Sequence, residues 1–266
     1  MRSRTLWRWS IFEKCRAVRI ETFLINLEGS DERLARATAQ LAAAGLEFRR
    51  IAAFDGRRLK PEDLPLYDAM RAEKVFGRRL TGGEVGCFLS HLEGARQFLA
   101  TGADYGLVVE DDLTVPASAG QVLDELLVAL DGRLAKTPWW VANLGEPARR
   151  MFTTLGPVTG SHRLVQAHYF PVTTTALLWN RSGAEAFLRD ARDIVMPVDH
   201  WLRRWVTAQG AGLALNPALF PASGAASEID AAGPRKKTRL SLRYFVAKQR
   251  RLWTNKLKAW WHRYRY

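Results

Sequence analysis

The sequence predicts an α/β fold in which a mixed sheet is flanked by helices, and three observations support this class. Short apolar runs alternate with amphipathic segments between residues 20 and 230, an order typical of sheets covered by helices. Glycine and proline mark the boundaries between these segments. The 266 residues are 47% hydrophobic, which provides a packed core and excludes a disordered chain.

The first half of the chain predicts strands and helices in alternation. Ser30 is a suitable cap for a helix that Gly45 closes, and Gly77 ends a short amphipathic helix. The predicted strands are 20–27, 47–54 and 105–109, and the other helices are 31–44, 81–100 and 121–130. The second half continues the pattern with strands at 139–144 and 169–179 and helices at 183–193 and 199–208.

Charge divides the chain into three parts. The formal charge is +13, but residues 235–266 contain 12 Lys or Arg and no acid. Residues 20–234 contain 22 bases and 26 acids, a net charge of −4. We therefore predict a basic extension at 1–19, a folded domain at 20–230, and a linker with a basic tail at 231–266. This distribution favours a catalytic or binding domain whose ends meet an anionic surface.

The tail predicts a basic amphipathic helix. At about 3.6 residues per turn, one face collects apolar and aromatic side chains. These are Leu242, Val246, Trp253, Leu257, Trp260 and Tyr264. Such a helix suits an anionic membrane surface, and the alternatives are a helix docked on the domain or a nucleic-acid arm. Trp7 and Trp9 predict a second membrane contact near the N-terminus.

The expected location is cytoplasmic and peripheral on the inner membrane. The two cysteines, Cys15 and Cys87, give no disulfide framework. The basic N-terminus lacks the apolar core of a secretory signal. No apolar run approaches the roughly 20 residues needed to cross a bilayer.

Three consecutive carboxylates follow the strand predicted at 105–109. Glu110, Asp111 and Asp112 thus lie at a strand's carboxyl end, where open α/β sheets bind ligands. Adjacent ionised carboxylates repel one another, so a cluster in a cleft would require a divalent cation or a cationic partner among them. Taken alone, an acidic triplet is more often a turn that caps the next helix, and the surrounding motifs have to decide between the two.

Four motifs in a fixed order resemble glycosyltransferase family 25. They are LTGGEVGCFLSH at 80–91, LVVEDD at 107–112, TTTALLWNRSGAEAFL at 173–188 and MPVDHWL at 196–202. The resemblance covers residues 20–230. This family includes bacterial lipooligosaccharide galactosyltransferases and is similar to the collagen galactosyltransferases. It implies a GT-A-like, Rossmann-related fold and an inverting transfer of a hexose, expected to be galactose from UDP-galactose.

The resemblance also implies roles for residues at the ends of the first strands. Glu110 and Asp112 match the acidic metal motif for Mn²⁺ or Mg²⁺, and Asp111 would hold the ribose or orient a neighbour. Asn26, Arg33 and Asp55 match positions that meet the nucleotide. Asn26 and Asp55 equally suit caps or turns, and for Arg33 a surface ion pair is the preferred interpretation.

Inversion requires a base that takes the proton of the acceptor hydroxyl. Asp199 is the first candidate and Glu84 the second, and both also suit the first turn of a helix. Cys87 and His91, four residues apart, suggest either a metal pair or two packed side chains with the histidine hydrogen-bonded. Asn143 departs from the family, which often carries an aspartate there, and this bears on the acceptor.

The sequence therefore favours a metal-dependent hexosyltransferase that acts on a lipopolysaccharide or lipooligosaccharide acceptor. Its partners would be a UDP-hexose, a glycolipid or oligosaccharide acceptor, and an anionic membrane, with no nucleic acid expected. Two alternatives stand beside it: a non-catalytic α/β protein that binds nucleic acid or membrane through its basic ends, and a metal-dependent nucleotide hydrolase.

Overall fold

The computed structural model describes residues 18–132, 138–224 and 242–265. Within these ranges the chain forms one eight-stranded sheet and seven α-helices. The strands are β1 (Ile20–Asn26), β2 (Arg49–Ala52), β3 (Tyr105–Glu110), β4 (Val141–Asn143), β5 (Phe152–Thr159), β6 (His162–Ala167), β7 (Ala176–Asn180) and β8 (Gly212–Asn216). The helices are α1 (Asp31–Ala43), α2 (Ala69–Val75), α3 (Gly82–Ala100), α4 (Ala119–Gly132), α5 (Arg181–Asp190), α6 (Val198–Gln209) and α7 (Leu242–Arg265).

The sheet is mixed, with the strand order β2-β1-β3-β7-β4-β8-β6-β5. Strands β2, β1 and β3 run parallel, whereas β7 lies antiparallel between β3 and β4. Strand β8 is parallel to β4, and the β5–β6 hairpin closes this side in antiparallel pairing. The predicted mixed α/β class is confirmed.

Helices cover both faces of the sheet because side chains alternate along its central strands. Phe23 of β1 packs into the core beneath α3, α5 and α6, and its neighbour Leu24 packs into the core beneath α1 and α4. Val108 and Val109 of β3 divide in the same way. All four side chains are fully buried. A strand buried on both faces explains the continuous apolar run that precedes the acidic triplet.

Four strands differ from the prediction. The β5–β6 hairpin and β8 were not predicted, and the strand predicted at 169–179 forms only from Ala176, as β7. Pro157 and Gly156 interrupt the pattern of β5, an edge strand with irregular pairing to β6. The loop at 169–175 approaches the acidic triplet instead of pairing within the sheet.

The C-terminal helix forms as predicted, over Leu242–Arg265. It packs against α6, so the alternative of a helix docked on the domain is observed. The N-terminal extension with Trp7 and Trp9, and most of the predicted linker, lie outside the described residues. No helix in the described ranges is long and apolar enough to cross a membrane.

Candidate active site at the carboxyl edge of the sheet

Parallel strands bring the predicted site residues to one edge. Residues Asn26 of β1 and Ala52 of β2 are register partners, and Glu110 of β3 pairs with Ile25 of β1. The three strands therefore end side by side. Because β7 runs the other way, the loop before it enters at the same edge, and the backbone amide of Glu110 donates to the Thr175 carbonyl at 2.9 Å. Residues more than 80 positions apart meet here.

Asp111 is held inside this edge by two donors. The Asn26 side-chain amide donates to one carboxylate oxygen at 2.7 Å, and the Arg33 guanidinium lies 2.6 Å from the other. Asp111 is only 7% exposed, so Arg33 forms an internal ion pair and not the surface pair considered above. Of the two roles predicted for Asp111, these contacts favour orienting its neighbours over holding a ribose.

Glu110 is fixed by a histidine and a threonine. His91 Nε2 lies 2.9 Å from Glu110 Oε1, and the Thr174 hydroxyl donates to the same oxygen at 2.6 Å. Burial alone would raise the pKa of Glu110, but the bonds from His91 and Thr174 hold it below its ordinary value. An ionised carboxylate only accepts, so the His91 proton is on Nε2. The predicted buried, hydrogen-bonded histidine is confirmed, with only 2% of His91 exposed.

The ionised form of Asp112 is destabilised by its surroundings. Burial and the neighbouring charge of Glu110 raise the pKa of Asp112 to about 6. Its Oδ1 is buried without a hydrogen-bond partner in the described part of the chain. Arg33 lies 3.9 Å from Oδ2, too far for a hydrogen bond.

This donor set fits a hard divalent cation. Both recorded hydrogen bonds to Glu110 fall on Oε1, which leaves Oε2 of Glu110 and Oδ1 of Asp112 as acceptors within the described chain. Carboxylate oxygens are the ligands that Mg²⁺ and Mn²⁺ prefer. A cation there would satisfy the buried oxygen and offset the repulsion that raises the pKa of Asp112.

A second donor set overlaps the first. Ligand atoms of Cys87, His91 and Glu110 all lie within 4.8 Å of one another, a combination that suits zinc. Burial raises the pKa of the Cys87 thiol well above its usual range, and the nearby carboxylates raise it further. Because thiolate is the form that binds metal, these surroundings favour a protonated, packed cysteine.

Cys87 also shows that the predicted carboxylates converge. The charges that raise its thiol pKa belong to Glu110, Asp199, Asp112 and Glu84, in that order of size after burial. These acids come from β3, the turn after it, and the first turns of α6 and α3. All the predicted metal and base candidates thus lie near enough to Cys87 to act on its thiol electrostatically.

A cavity of about 110 Å³ opens at this edge, several times the space that one water occupies. The acidic triplet, Arg33 and Cys87 line it. Asp55 and Arg57 line it as well. A side-chain hydrogen bond from Arg57 lowers the pKa of Asp55, and both lie at the rim. Asp55 is therefore an ion-paired rim residue that faces the same cavity as the triplet.

Glycines of helix α3 allow the helix to pack closely against the segment after β2. A Cβ at Gly82 or Gly86 would overlap the backbone of the segment 54–56. The Ser90 hydroxyl accepts from the Phe54 amide at 3.0 Å and donates to the Gly86 carbonyl at 2.8 Å. Helix α3 is thereby pressed against the end of β2. Of the adjacent Gly82 and Gly83 at the start of α3, only Gly83 lines the cavity.

Glu84 has the contacts of a capping residue. Thr81 and Glu84 form a reciprocal capping box at the start of α3. The Arg78 guanidinium also meets both carboxylate oxygens, at 2.8 and 2.5 Å. With both oxygens engaged, Glu84 is the weaker of the two candidate bases.

Glu84→Gln is expected to lower stability while preserving turnover. The substitution removes a partly buried ion pair and weakens the cap, so we expect a loss of about 1–3 kcal/mol in the free energy of unfolding. Glu93→Gln is a matched control on the same helix, because Glu93 pairs with an exposed Arg96 at 3.4 Å; its effect should stay within about 0.5 kcal/mol. Chemical denaturation measures both. A folded Glu84→Gln protein that loses turnover 100-fold would instead identify Glu84 as the base.

Asp199 occupies the first turn of α6. It does not line the cavity, but its carboxylate interacts electrostatically with Glu110 and Glu84. Burial raises the pKa of Asp199 to about 6. Its Oδ1 accepts the His200 backbone amide at 2.6 Å, and no arginine or lysine is recorded in an ion pair with it among the described residues. A half-buried carboxylate with a raised pKa is suited to proton transfer.

Sequence patterns did not predict the supporting contacts of two side chains. Thr174 lies in the family-like motif at 173–188, and its hydroxyl helps to fix Glu110. Asn143 is fully buried and ties β4 to the adjacent loop, because its side-chain amide donates to the Thr173 carbonyl at 2.8 Å. An aspartate at 143 has no proton to donate when ionised, so the departure from the family changes how this loop is held.

Comparisons with known proteins agree with the motifs. The sequence model of glycosyltransferase family 25 (LPS biosynthesis protein) matches residues 19–202. Procollagen galactosyltransferase 1-B of Xenopus laevis is 29% identical over 190 residues, which are 68% of this chain and 30% of that protein. The probable inactive glycosyltransferase 25 family member 3 of Rattus norvegicus is 30% identical over 191 residues, 68% of this chain and 32% of that protein.

The chain thus spans about a third of the length of these relatives, which include proteins named as inactive. A crystal structure of a glycosyltransferase involved in the glycosylation of the major capsid of PBCV-1 is similar with a TM-score of 0.39 and 10% identity. That match covers 80% of this chain and 97% of the other.

Proposed function

Because the chain belongs to glycosyltransferase family 25, we propose that it is a metal-dependent enzyme that transfers a hexose with inversion. The observation that carries the proposal is the convergence of Glu110, Asp112 and Asp199 around Cys87 at the carboxyl edge of the sheet. In this proposal Glu110 and Asp112 hold a cation, and Asp199, on a separate helix, accepts a proton.

Glu110 and Asp112 would hold Mn²⁺ or Mg²⁺. A bound divalent cation would neutralise the negative charge that grows on the leaving diphosphate. His91 and Thr174 keep Glu110 ionised and oriented through its other oxygen. Asn26 and Arg33 hold the neighbouring Asp111 and fix the turn after β3.

Asp199 would act as the base. In an inverting displacement the acceptor hydroxyl attacks the anomeric carbon from the side opposite the leaving diphosphate. The Asp199 carboxylate would accept the hydroxyl proton as the new glycosidic bond forms and the bond to the diphosphate breaks. Asp199 comes from α6, whereas the proposed cation ligands come from the end of β3 and the turn after it, so the two roles belong to separate elements.

We also propose a specific donor and a specific class of acceptor, which membership of the family alone does not determine. Relatives named as procollagen galactosyltransferases support galactose, and UDP-galactose is the proposed donor. The family description as LPS biosynthesis supports a lipopolysaccharide or lipooligosaccharide acceptor. We place the reaction on the cytoplasmic face of the inner membrane, where such an acceptor is held in the bilayer.

A panel of nucleotide sugars tests the donor. UDP-galactose with Mn²⁺ is expected to raise the melting temperature more than UDP-glucose, GDP-mannose or UDP-galactose with EDTA. Product analysis with and without a saccharide acceptor then separates transfer from hydrolysis. Release of free galactose at the same rate with and without acceptor would favour the nucleotide hydrolase, and no response to any nucleotide sugar would favour a non-catalytic protein.

A further inference from the structure

Helix α7 is attached to the domain through its polar side. The Arg251 guanidinium donates to the carbonyls of Val75 and Phe76, at 3.1 and 2.6 Å, and lies 4.4 Å from the centre of the Phe76 ring. Near the other end, His262 Nε2 lies 3.1 Å from the Ala208 carbonyl at the end of α6. Between them Asn255 is buried, with 7% exposure. These residues follow one another at helical spacing and define the docked side of α7.

The opposite side of α7 is apolar and faces outward. Its residues are Val246, Trp253, Leu257, Trp260 and Tyr264, which are 56%, 63%, 64%, 56% and 67% exposed. At about 3.6 residues per turn they lie roughly half a turn from the docked side. We call them the aromatic stripe. An amphipathic helix of a globular protein normally buries its apolar side, and here that side is left uncovered by the described chain.

Cations border the aromatic stripe. Helix α7 contains eight Lys or Arg and no Asp or Glu. The Lys256 ammonium lies 5.6 Å from the Trp253 ring, and the Arg263 guanidinium 5.8 Å from the Tyr264 ring. Exposed tryptophan and tyrosine beside lysine and arginine are the composition of helices that lie in the headgroup region of a bilayer.

A basic groove runs between α7 and α2. Its volume is about 1230 Å³, and it is lined by cations from three helices and the turn before α3. They are Lys74, Arg78, Arg79, Arg204, Arg250, Arg251 and Lys258. The one acid that lines it, Glu73, is paired with Arg79 at 2.7 Å. Arg78 is also paired, with Glu84, so the positive charge of the groove next to the aromatic stripe comes from the other five cations.

We propose that α7 seats this protein on a bilayer that contains anionic lipid. The aromatic stripe enters the headgroup region, and the basic groove and the flanking cations face the lipid phosphates. A bilayer satisfies both features at once, because it offers a wide apolar phase bordered by negative charge. Docking and membrane binding use opposite sides of one helix, so they are not alternatives.

Helix α7 is connected to the segment that carries the proposed base. Arg251 and Tyr244 contact the Phe76 ring, and that ring lies 5.4 Å from the His200 ring, next to Asp199. The docked side of α7 is thus linked through Phe76 to His200, the residue that follows the proposed base. This inference goes beyond the proposed transfer reaction and does not depend on it.

Vesicle sedimentation with the full chain tests the proposal. We expect binding to vesicles of phosphatidylcholine with 30% phosphatidylglycerol, and much weaker binding to phosphatidylcholine alone or in 0.5 M salt. Arg250→Ala with Lys258→Ala should reduce binding about 25-fold, since each well-placed cation accounts for about fivefold. Trp253→Ala with Trp260→Ala should reduce it at least about tenfold.

Matched controls lie on the other face of the sheet. Arg36→Ala with Arg50→Ala removes two exposed cations from α1 and β2, and Val128→Ala removes an exposed apolar side chain from α4; both should bind like the unchanged protein. All substituted side chains are exposed, so circular dichroism should be unchanged. UDP-galactose hydrolysis in solution is measured separately. Its loss or persistence does not change how the vesicle-binding result is interpreted.

Two results would overturn the proposal. One is equal sedimentation with neutral and anionic vesicles. The other is vesicle binding that neither α7 double variant reduces. If the same double variants abolish saturable binding to poly(U) while vesicle binding is absent, the surface belongs to a nucleic acid and the bilayer is wrong.

Discussion

Replacing Asp112 with asparagine is expected to lower metal-supported sugar transfer by at least about 10³-fold, equivalent to about 4 kcal/mol of transition-state stabilisation. Asparagine retains one oxygen but loses the negative charge. Asp112 Oδ1 is buried without a hydrogen-bond partner in the described chain, and burial beside Glu110 raises the pKa of Asp112 to about 6. An unsatisfied carboxylate under repulsion is costly unless it holds a cation.

Metal binding separates this explanation from a structural one. Mn²⁺ should raise the melting temperature of the unchanged protein and have no effect on Asp112→Asn. In the absence of metal the variant should be at least as stable as the unchanged protein, because one repelling charge is gone. Asp124→Asn, an exposed acid on α4, is the control and should keep both transfer and the Mn²⁺ response. A response to Mn²⁺ that survives in Asp112→Asn would place the cation elsewhere.

The sequence predicts the centre of the sheet better than its far side. Strands β1 and β3 are buried on both faces and carry continuous apolar runs, so the pattern is strong and the acidic triplet falls where it was expected. The β5 strand has no fully buried residue, and the five residues of β8 leave too short a signal for its buried pattern. The antiparallel direction of β7 is a property of the chain path, which local periodicity does not encode.

The candidate site shows the same limit. Residue type and strand position predicted that Glu110 and Asp112 would lie at a ligand-binding edge. The bond between Asn26 and Asp111 joins residues 85 positions apart and exists only because β1 and β3 are neighbours. The engagement of Glu84 by Arg78 and the bond from Thr174 to Glu110 likewise depend on packing. Sequence supplied the candidates, and tertiary contacts show that Glu84 is engaged as a cap, which is why Asp199 is the proposed base.

The orientation of α7 extends this argument to the surface. Its helical period was visible in the sequence, and an apolar side normally predicts the buried side. Here the docked side is set by Arg251 and its backbone acceptors at the end of α2. Those acceptors are carbonyls, which are present at every residue, so no sequence pattern distinguishes them.

Asp199→Asn is expected to lower transfer by about 10²–10⁴-fold while making the protein more stable. Asparagine keeps the oxygen that accepts the His200 amide but has no carboxylate to take a proton. Burial raises the pKa of Asp199 from 3.8 to about 6, so the folded state favours the protonated form. The free energy of unfolding that this protonation supports is complete below pH of about 4 and is lost as pH rises through about 6.

The raised pKa therefore determines the direction in which Asp199→Asn changes the free energy of unfolding. A difference of about two pKa units corresponds to at most about 3 kcal/mol, so Asp199→Asn should be more stable than the unchanged protein at pH 7 by up to that amount, and equally stable at pH 4. Asp190→Asn provides the opposite case. Hydrogen bonds from Arg189 and Trp205 contribute to an Asp190 pKa that lies below its ordinary value, so this variant should lose stability at pH 7 and keep transfer.

The pH profile gives a readout that a structural role would not produce. The kcat/KM of the unchanged protein should fall as pH is lowered through about 6, because protonated Asp199 no longer accepts the hydroxyl proton. The residual activity of Asp199→Asn should lack this acid limb. Chemical denaturation at pH 4 and pH 7, together with the two profiles, tests the assignment. If Asp199→Asn transfers sugar within threefold of the unchanged rate, the base is another group, and Glu84 becomes the residue to examine despite its pairing with Arg78.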